Sequence, residues 1–203
     1  MAITDYTELQ AAVVAWSHRA DLGSVIPDFI TLAENKFNRN LRTLDMEAID
    51  TLTPSSGVCA LPGDWLEVRR LYINSDTLYE LEYVPPEQFY IKFPLTGTAS
   101  PDKSRYYTIQ GNNLYLSDKQ NTQDVSILYY QRIPALSANA TNWLLTDHPD
   151  LYLSATMAEL SDYIKDANGV QKWNGKAQAI VDSITTSDKK GKYSGSALRV
   201  ISA

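Results

Sequence analysis

Hydrophobic residues near the start of the chain recur with the period of an α-helix. The stripe consists of Tyr6, Leu9, Val13 and Trp16, which are three or four residues apart and share one helical face. Thr4 or Asp5 can cap the first turn through its side-chain oxygen. The pattern predicts a first helix that ends near His18.

A second helix is predicted after Gly23, which interrupts this pattern. Pro27 suits a first helical turn, where its missing N–H is not needed. The apolar stripe then continues through Ile30, Ala33, Phe37, Leu41 and Leu44. This spacing predicts a helix of about four turns.

The helical period disappears between Met46 and Arg132, where Val, Ile, Tyr and Leu segments alternate with turn residues, as in strands. Tyr79, Leu81 and Tyr83 alternate with two glutamates, which predicts one strand with one face in water. In "YYTIQGNNLYLS", Gly111-Asn112-Asn113 predicts a hairpin turn. "VSILYYQRI" predicts the closing strand, and Glu87 to Phe89 a single helical turn between loops.

The helical period returns after Pro149 and predicts two antiparallel helices joined by a turn at Asn168-Gly169. The two stripes consist of Leu153, Met157, Leu160 and Ile164, then Val170, Trp173, Ala177, Ile180 and Ile184. Gly175 interrupts the last helix at a cost of about 1 kcal/mol relative to alanine. A close packing contact is therefore expected at Gly175.

The order of these elements predicts an α+β fold. An antiparallel helical bundle would form from the N- and C-terminal helix pairs, because each helix has an apolar stripe to bury. The expected divisions are residues 1–45 with 147–187 for the bundle, 46–146 for an inserted antiparallel β-sheet region, and 188–203 for a flexible, extended C-terminal tail.

Composition excludes several classes of site. The 203 residues include a single cysteine, Cys59, and two distant histidines, so neither an intramolecular disulfide nor a metal site is expected. No cofactor is expected either, because the chain has no glycine-rich phosphate loop. The N-terminus lacks the pattern of a signal peptide and no stretch is long enough to span a membrane, so no membrane partner is expected.

The charge is unevenly distributed along the chain. Residues 188–203 contain four cations and one acid, a net charge of +3 that leaves −9 for the rest of a chain whose net charge is −6. Near its end the tail also contains Leu198, Val200 and Ile201, apolar residues whose exposure to water is unfavourable. This combination indicates a segment that binds a partner, with plain disorder as the alternative.

The stretch "TNWLLTDHPDLYL" suggests chemistry, because His148 lies between two aspartates and Ser154 follows. A hydrolase with Ser154 as nucleophile is one interpretation. The favoured interpretation is a helix start, with Asp147 as the cap, Pro149 in the first turn and Asp150 at the positive end of the helix dipole. No catalytic residue is therefore predicted.

Aromatic residues allow two interpretations. The thirteen tyrosines could form the face of a carbohydrate- or ligand-binding module, but tyrosine also suits half-buried strands and subunit contacts, which we favour. Trp65, Trp143 and Trp173 are assigned to packing, because each lies beside an element boundary or on an apolar stripe.

Four segments together resemble a known family. They are "VIPDFITLAENKFNRNLR", "LPGDWLEVRRLYI", "RYYTIQGNNLYL" and "YYQRIPALSANATNWLLTDHPDLYLSATMAEL", in this order. From about Asp5 to Leu198 the chain is similar to the head-to-tail adaptor (connector) proteins of tailed bacteriophages, which are related to the tail tubular A protein of short-tailed phages.

The resemblance implies a structural virion protein of the head-tail junction, made in the host cytoplasm and without enzymatic activity. Copies are expected to form a ring, twelvefold by analogy, beneath the portal protein. The ring would extend the channel through which genomic DNA passes without sequence-specific binding, and it would offer the downstream nozzle or tail-tube protein an attachment surface.

The resemblance also implies that the helical part and the tail face the portal. The expected portal-docking residues are Lys189, Lys190, Lys192, Tyr193, Leu198, Arg199, Val200 and Ile201. The β portion would contact neighbouring copies and the next tail component.

Overall fold

A computed structural model describes residues 2–73, 79–93, 105–119 and 123–193. The α-helices are α1 (Tyr6–Ser17), α2 (Ile26–Asn40), α3 (Pro86–Lys92), α4 (Trp143–Asp147), α5 (Pro149–Tyr163) and α6 (Ala167–Tyr193). The strands are β1 (Glu47–Leu52), β2 (Val58–Ala60), β3 (Trp65–Ile73), β4 (Tyr79–Glu80), β5 (Glu82–Tyr83), β6 (Tyr106–Gln110), β7 (Asn113–Leu116) and β8 (Val125–Gln131). The predicted α+β class is confirmed.

The chain divides into two compact units. A helical unit is formed from the two ends of the chain, and a β unit spans Glu47–Arg132 between them. Residues 133–146, expected in the β-rich insertion, lie in the helical unit. The reason is a pair of long-range contacts. The backbone N–H of Ile133 donates to the Asn38 side chain of α2 at 2.9 Å, and the backbone N–H of Leu136 donates to the Glu34 carboxylate.

Helix α1 has the predicted boundaries. The Asp5 carboxylate accepts a hydrogen bond from the Glu8 backbone N–H at 2.8 Å, which satisfies one free donor of the first turn. The helix ends where His18 adopts a left-handed conformation with φ 53°. Leu9 and Val13 are fully buried, whereas Trp16 at the end of the stripe is 55% exposed.

Helix α2 has Pro27 in its first turn, as predicted. It ends at Asn40, so Leu44 lies outside it in a short 3-10 turn, Leu44–Met46. Leu44 is 42% exposed and was wrongly assigned to the buried stripe of this helix.

Helices α5 and α6 pack on each other, and α5 also contacts α1 and α2. The turn between α5 and α6 lies earlier than predicted. Lys165 takes the left-handed conformation with φ 61°, and the Asp166 backbone N–H donates to the Ser161 carbonyl at 2.9 Å, so the chain reverses before Asn168-Gly169. Those two residues belong to the first turn of α6. A Cβ on Gly169 would contact the side chains of Asp166 and Ser161, so these side chains would have to move for a larger residue to fit.

Two expectations about α6 are wrong. A Cβ built on Gly175 meets no atom within 4 Å, so this glycine makes no close packing contact. The helix also continues to Tyr193, so the first six residues of the expected tail are helical. The other tail residues, from 194 onward, lie outside the described part of the chain.

The β unit contains two four-stranded sheets with the orders β1-β8-β3-β4 and β2-β7-β6-β5. The predicted closing strand β8 lies inside the first sheet, between β1 and β3. Pairing is antiparallel except between β5 and β6, which are parallel. Leu71, Leu114, Val125 and Ile127 are fully buried in the core that the two sheets share.

The hairpin is confirmed, because β6 and β7 pair from Tyr107 with Leu116 to Gln110 with Asn113. Gly111 has φ 62°, a value that glycine adopts without strain. The single strand predicted from Tyr79 to Tyr83 is wrong. Leu81 is buried between β4 and β5, which belong to different sheets, while Tyr83 is 51% exposed.

Candidate docking surface

The last turns of α6 are held against the 3-10 turn that follows α2. The backbone N–H of Leu44 donates a hydrogen bond to the Asp188 carboxylate at 2.7 Å. The same carboxylate pairs with Lys192, one helical turn later, at 2.9 Å. These contacts fix the direction of α6 at the point where the C-terminal segment leaves it.

A groove of about 570 Å³ lies beside this junction. We call it the α6 groove, and its walls come from the 3-10 turn, the start of α5 and the C-terminal half of α6. Its main lining residues are Leu44, Asp45, Asp150, Ile180, Ile184 and Asp188. The groove therefore combines an apolar lining with three carboxylates.

One polar group in this groove lacks a partner. Thr43 lines the groove and is 2% exposed, and its hydroxyl makes no hydrogen bond among the residues that the structure describes. Leaving a buried hydroxyl without a hydrogen bond costs about 1–3 kcal/mol.

Of the predicted docking residues, Lys189, Lys190, Lys192 and Tyr193 lie in the last turns of α6. Lys189 and Lys190 are exposed, whereas Lys192 turns back onto Asp188. Leu198, Arg199, Val200 and Ile201 lie outside the described residues. Thr43, Asp45 and Asp150 lie beside the last turns of α6 but are far from them along the chain, so no sequence signal marks them as neighbours.

The stretch around His148 contains the starts of two successive helices, α4 and α5. Asn142 caps α4, since its side-chain oxygen accepts the Leu145 backbone N–H at 2.8 Å. Asp147 is the last residue of α4 and His148 occupies the N-cap of α5, so the predicted capping role of Asp147 is wrong. Pro149 and Asp150 lie in the first turn of α5 as predicted.

The geometry does not favour the hydrolase interpretation. Ser154 is 5% exposed within α5, where its hydroxyl cannot reach a substrate in solution. A serine nucleophile needs an exposed position beside a base. His148 instead lines the α6 groove.

A buried polar network joins α2, α5 and the segment that enters α4. The Asn142 amide donates to the Tyr152 hydroxyl at 2.7 Å, and that hydroxyl donates to the Glu34 carboxylate at 3.3 Å. The Leu136 backbone N–H donates to the same carboxylate oxygen at 2.8 Å. Burial raises the pKa of Glu34 above its usual range, and these two hydrogen bonds lower it in part. Burial likewise raises the pKa of the Tyr152 hydroxyl.

The tyrosines of the β unit mostly pack against other residues. Tyr107, Tyr129 and Tyr130 are at most 8% exposed. Burial, helped by nearby Asp64, raises the pKa of Tyr129 to about 12. Tyr83 packs edge-on against Tyr107 with ring centroids 5.5 Å apart. This packing gives the carbohydrate-binding alternative no support.

The tryptophans also make specific contacts. Trp173 is 8% exposed and packs edge-on against Trp16 with ring centroids 5.8 Å apart. Trp65 is partly buried against the β core, and its indole N–H donates to the Asn112 side chain at 2.5 Å. Trp143, the first residue of α4, is partly buried. These contacts agree with the packing assignment.

The described residues contain neither a metal-binding cluster nor a membrane-spanning helix. Within them, no group of three or more His, Cys, Asp or Glu side chains is placed to hold a metal ion. No helix in the described part of the chain is long and apolar enough to cross a membrane.

Comparison with known proteins decides the family. The model of the SU10 adaptor protein family matches residues 4–200, almost the whole chain. This chain belongs to the SU10 adaptor protein family. It is therefore a structural adaptor protein of a bacteriophage and a component of the virion. A comparison with curated proteins gives no match.

Proposed function

We propose that this SU10 adaptor family member forms a ring beneath the portal protein at the head-tail junction. The helical unit, arranged as a bundle from both chain ends, would face the portal together with the C-terminal segment, residues 188–203. The observation that carries this proposal is the anchored end of α6, which forms the first part of that segment. Its residues Lys189, Lys190 and Lys192 lie in the last turns of α6, which the Asp188–Leu44 hydrogen bond holds in place, and its apolar residues follow later in the chain.

A docking segment that follows a fixed helix end has a physical advantage. A free peptide loses conformational entropy when a partner orders it, at about 1–2 kcal/mol for each residue. The portion of α6 from Asp188 to Tyr193 is already helical, so its residues are ordered before binding. Only the ten residues after Tyr193 would have to be ordered on the portal.

The ring itself would be a heterologous assembly, in which each copy presents two different patches to its two neighbours. The β unit is the proposed neighbour-contacting part, and it would also meet the downstream nozzle or tail-tube protein. Two of its apolar side chains are exposed to a degree that fits such contacts, Ile49 at 76% and Ile91 at 83%. We propose twelve copies in each ring.

The proposed ring would extend the DNA channel without gripping DNA. The chain before residue 188 carries a net charge of −9, and binding to many phosphates requires the opposite sign. An acidic lining would repel the phosphate backbone and leave genomic DNA free to move.

The test is assembly with the portal protein encoded in the same genome, followed by negative-stain electron microscopy. We expect rings of this protein stacked on portal rings. The variant Lys189→Glu/Lys190→Glu should bind the portal at least tenfold more weakly, because two exposed cations are reversed.

The matched control is Lys172→Glu/Lys176→Glu, which makes the same charge change near the start of α6, where both lysines lie over the Trp173 ring. It should bind the portal as the unmodified chain does. An absence of stacked rings with the unmodified chain would contradict the adaptor position beneath the portal. Equal weakening by both variants would assign the effect to overall charge.

A further inference from the structure

We propose that the α6 groove is the binding site for the last seven residues of the same chain, 197–203, in the free subunit. The groove has an apolar lining that includes three carboxylates. The sequence of those seven residues, "ALRVISA", contains apolar residues around a single arginine. This inference concerns the free subunit and does not rest on the proposed function.

Charge complementarity selects this segment as the occupant. Asp45, Asp150 and Asp188 line the groove, and Asp188 is already paired with Lys192. Arg199 would meet the other two carboxylates, while Leu198 and Val200 would contact Ile180 and Ile184.

The length of the segment matches the groove. The α6 part of the groove runs from Ala179 to Gly191, about 18 Å at about 1.5 Å for each helical residue. Seven extended residues span about 23 Å at about 3.3 Å each, enough to run back along this length. The chain must first reverse after Tyr193, and the sequence Ser194-Gly195-Ser196 has the composition of a turn.

The short connection makes binding within one chain favourable. Three residues separate the end of α6 from Ala197, and so short a connection gives an effective concentration in the millimolar range. Even a weak intrinsic affinity therefore suffices for occupancy.

The helical unit has another groove, which fits this segment less well. It has a volume of about 410 Å³ and is lined by Phe37, Leu41, Gly175 and Lys36, among others. Lys36 would repel Arg199, although it is paired with Glu159. On α6, this second groove extends toward the C-terminus only to Val181, whereas the α6 groove extends to Gly191. The α6 groove is therefore nearer to the point where the segment begins.

The test is disulfide formation in the free, full-length protein. The double variant Ser183→Cys/Val200→Cys places one thiol on an exposed groove residue and one in the segment. The native Cys59 does not interfere, because it is 1% exposed and burial raises its thiol pKa to about 11. We expect an intramolecular disulfide under mild oxidation, detected by mass spectrometry.

The matched control is Thr186→Cys/Val200→Cys. Thr186 is exposed and nearer to the end of α6, but it does not line the groove. The groove pair should form its disulfide at least about tenfold faster than the control pair, and adding Arg199→Glu should remove most of this difference. Equal rates for the two pairs would overturn the proposal. Disulfide-linked dimers whose yield rises with protein concentration would also overturn it, by assigning the groove to a neighbouring copy.

Discussion

The Asp188 carboxylate accepts the backbone N–H of Leu44 across 144 positions of the chain, at 2.7 Å. This hydrogen bond joins the end of α6 to the turn that follows α2, and it holds the first residue of the C-terminal segment. It also contributes to one wall of the α6 groove. The α6 end is therefore both a structural anchor and the starting point of the proposed docking segment.

Replacing Asp188 should loosen the end of α6. Asp188→Ala removes a charged acceptor from the Leu44 N–H and a partner from Lys192, so we expect a loss of about 1–3 kcal/mol in the free energy of unfolding. Hydrogen exchange should increase most in residues 184–193. The control Asp182→Ala removes an exposed carboxylate of the same helix that accepts the Gln178 amide at 2.9 Å, and it should leave that exchange almost unchanged. Equal exchange in both variants would contradict the anchoring role.

Glu34 should make stability fall as pH rises. Burial raises its pKa in the folded state, whereas the unfolded chain has the ordinary value of about 4.3. Between the two pKa values the folded state binds more protons. The contribution of Glu34 is therefore fully present below the unfolded pKa and is lost as pH rises through the folded pKa. Glu34→Gln should remove this part of the pH dependence, measured by urea unfolding between pH 4 and pH 8.

Glu8 provides a control of opposite sign. Hydrogen bonds from the Thr4 hydroxyl and backbone N–H lower the pKa of the Glu8 carboxyl. Its contribution is therefore present above the unfolded pKa and is lost as pH falls through the folded pKa. The difference in unfolding free energy between wild type and Glu8→Gln, plotted against pH, should slope in the opposite direction to the same difference for Glu34→Gln. Slopes of the same sign would contradict the assignment.

Gly175→Ala should stabilise the helical unit. The added Cβ enters open space and alanine is about 1 kcal/mol more favourable than glycine inside a helix, so the midpoint of chemical unfolding should rise. Gly57→Ala is the contrasting variant. Gly57 has φ 74° and its Cβ would lie 2.7 Å from the Lys119 Cα, so this change should destabilise the β unit by at least about 1 kcal/mol. A lower midpoint for Gly175→Ala would contradict the open surroundings of that residue.

The sequence correctly predicted the elements that are marked by residues within them or directly beside them. Asp5, Pro27 and Gly111 mark a cap, a first turn and a hairpin, and all three act as the sequence indicates. Tyr79 to Tyr83 has the alternation of one strand, but burial of Leu81 between two sheets overrides it. Such an override depends on tertiary contacts, which alternation does not encode.

The docking surface was only partly predictable. The basic and apolar character of the C-terminal segment is visible in the sequence, as is its difference in charge from the rest of the chain. The contact that anchors residues 188–193 is not visible, because it is a hydrogen bond to Leu44, 144 positions away in the chain. The groove beside it combines Thr43, Asp150 and Ile184 from three distant segments.

The most direct test of the central claim compares two forms of the protein on the portal. One is the full chain, and the other ends at Tyr193, which leaves α6 and the Asp188–Leu44 hydrogen bond intact. Negative-stain electron microscopy of each form, mixed with the portal protein of the same genome, should give stacked rings only with the full chain. Equal stacking with both forms would contradict docking through the C-terminal segment.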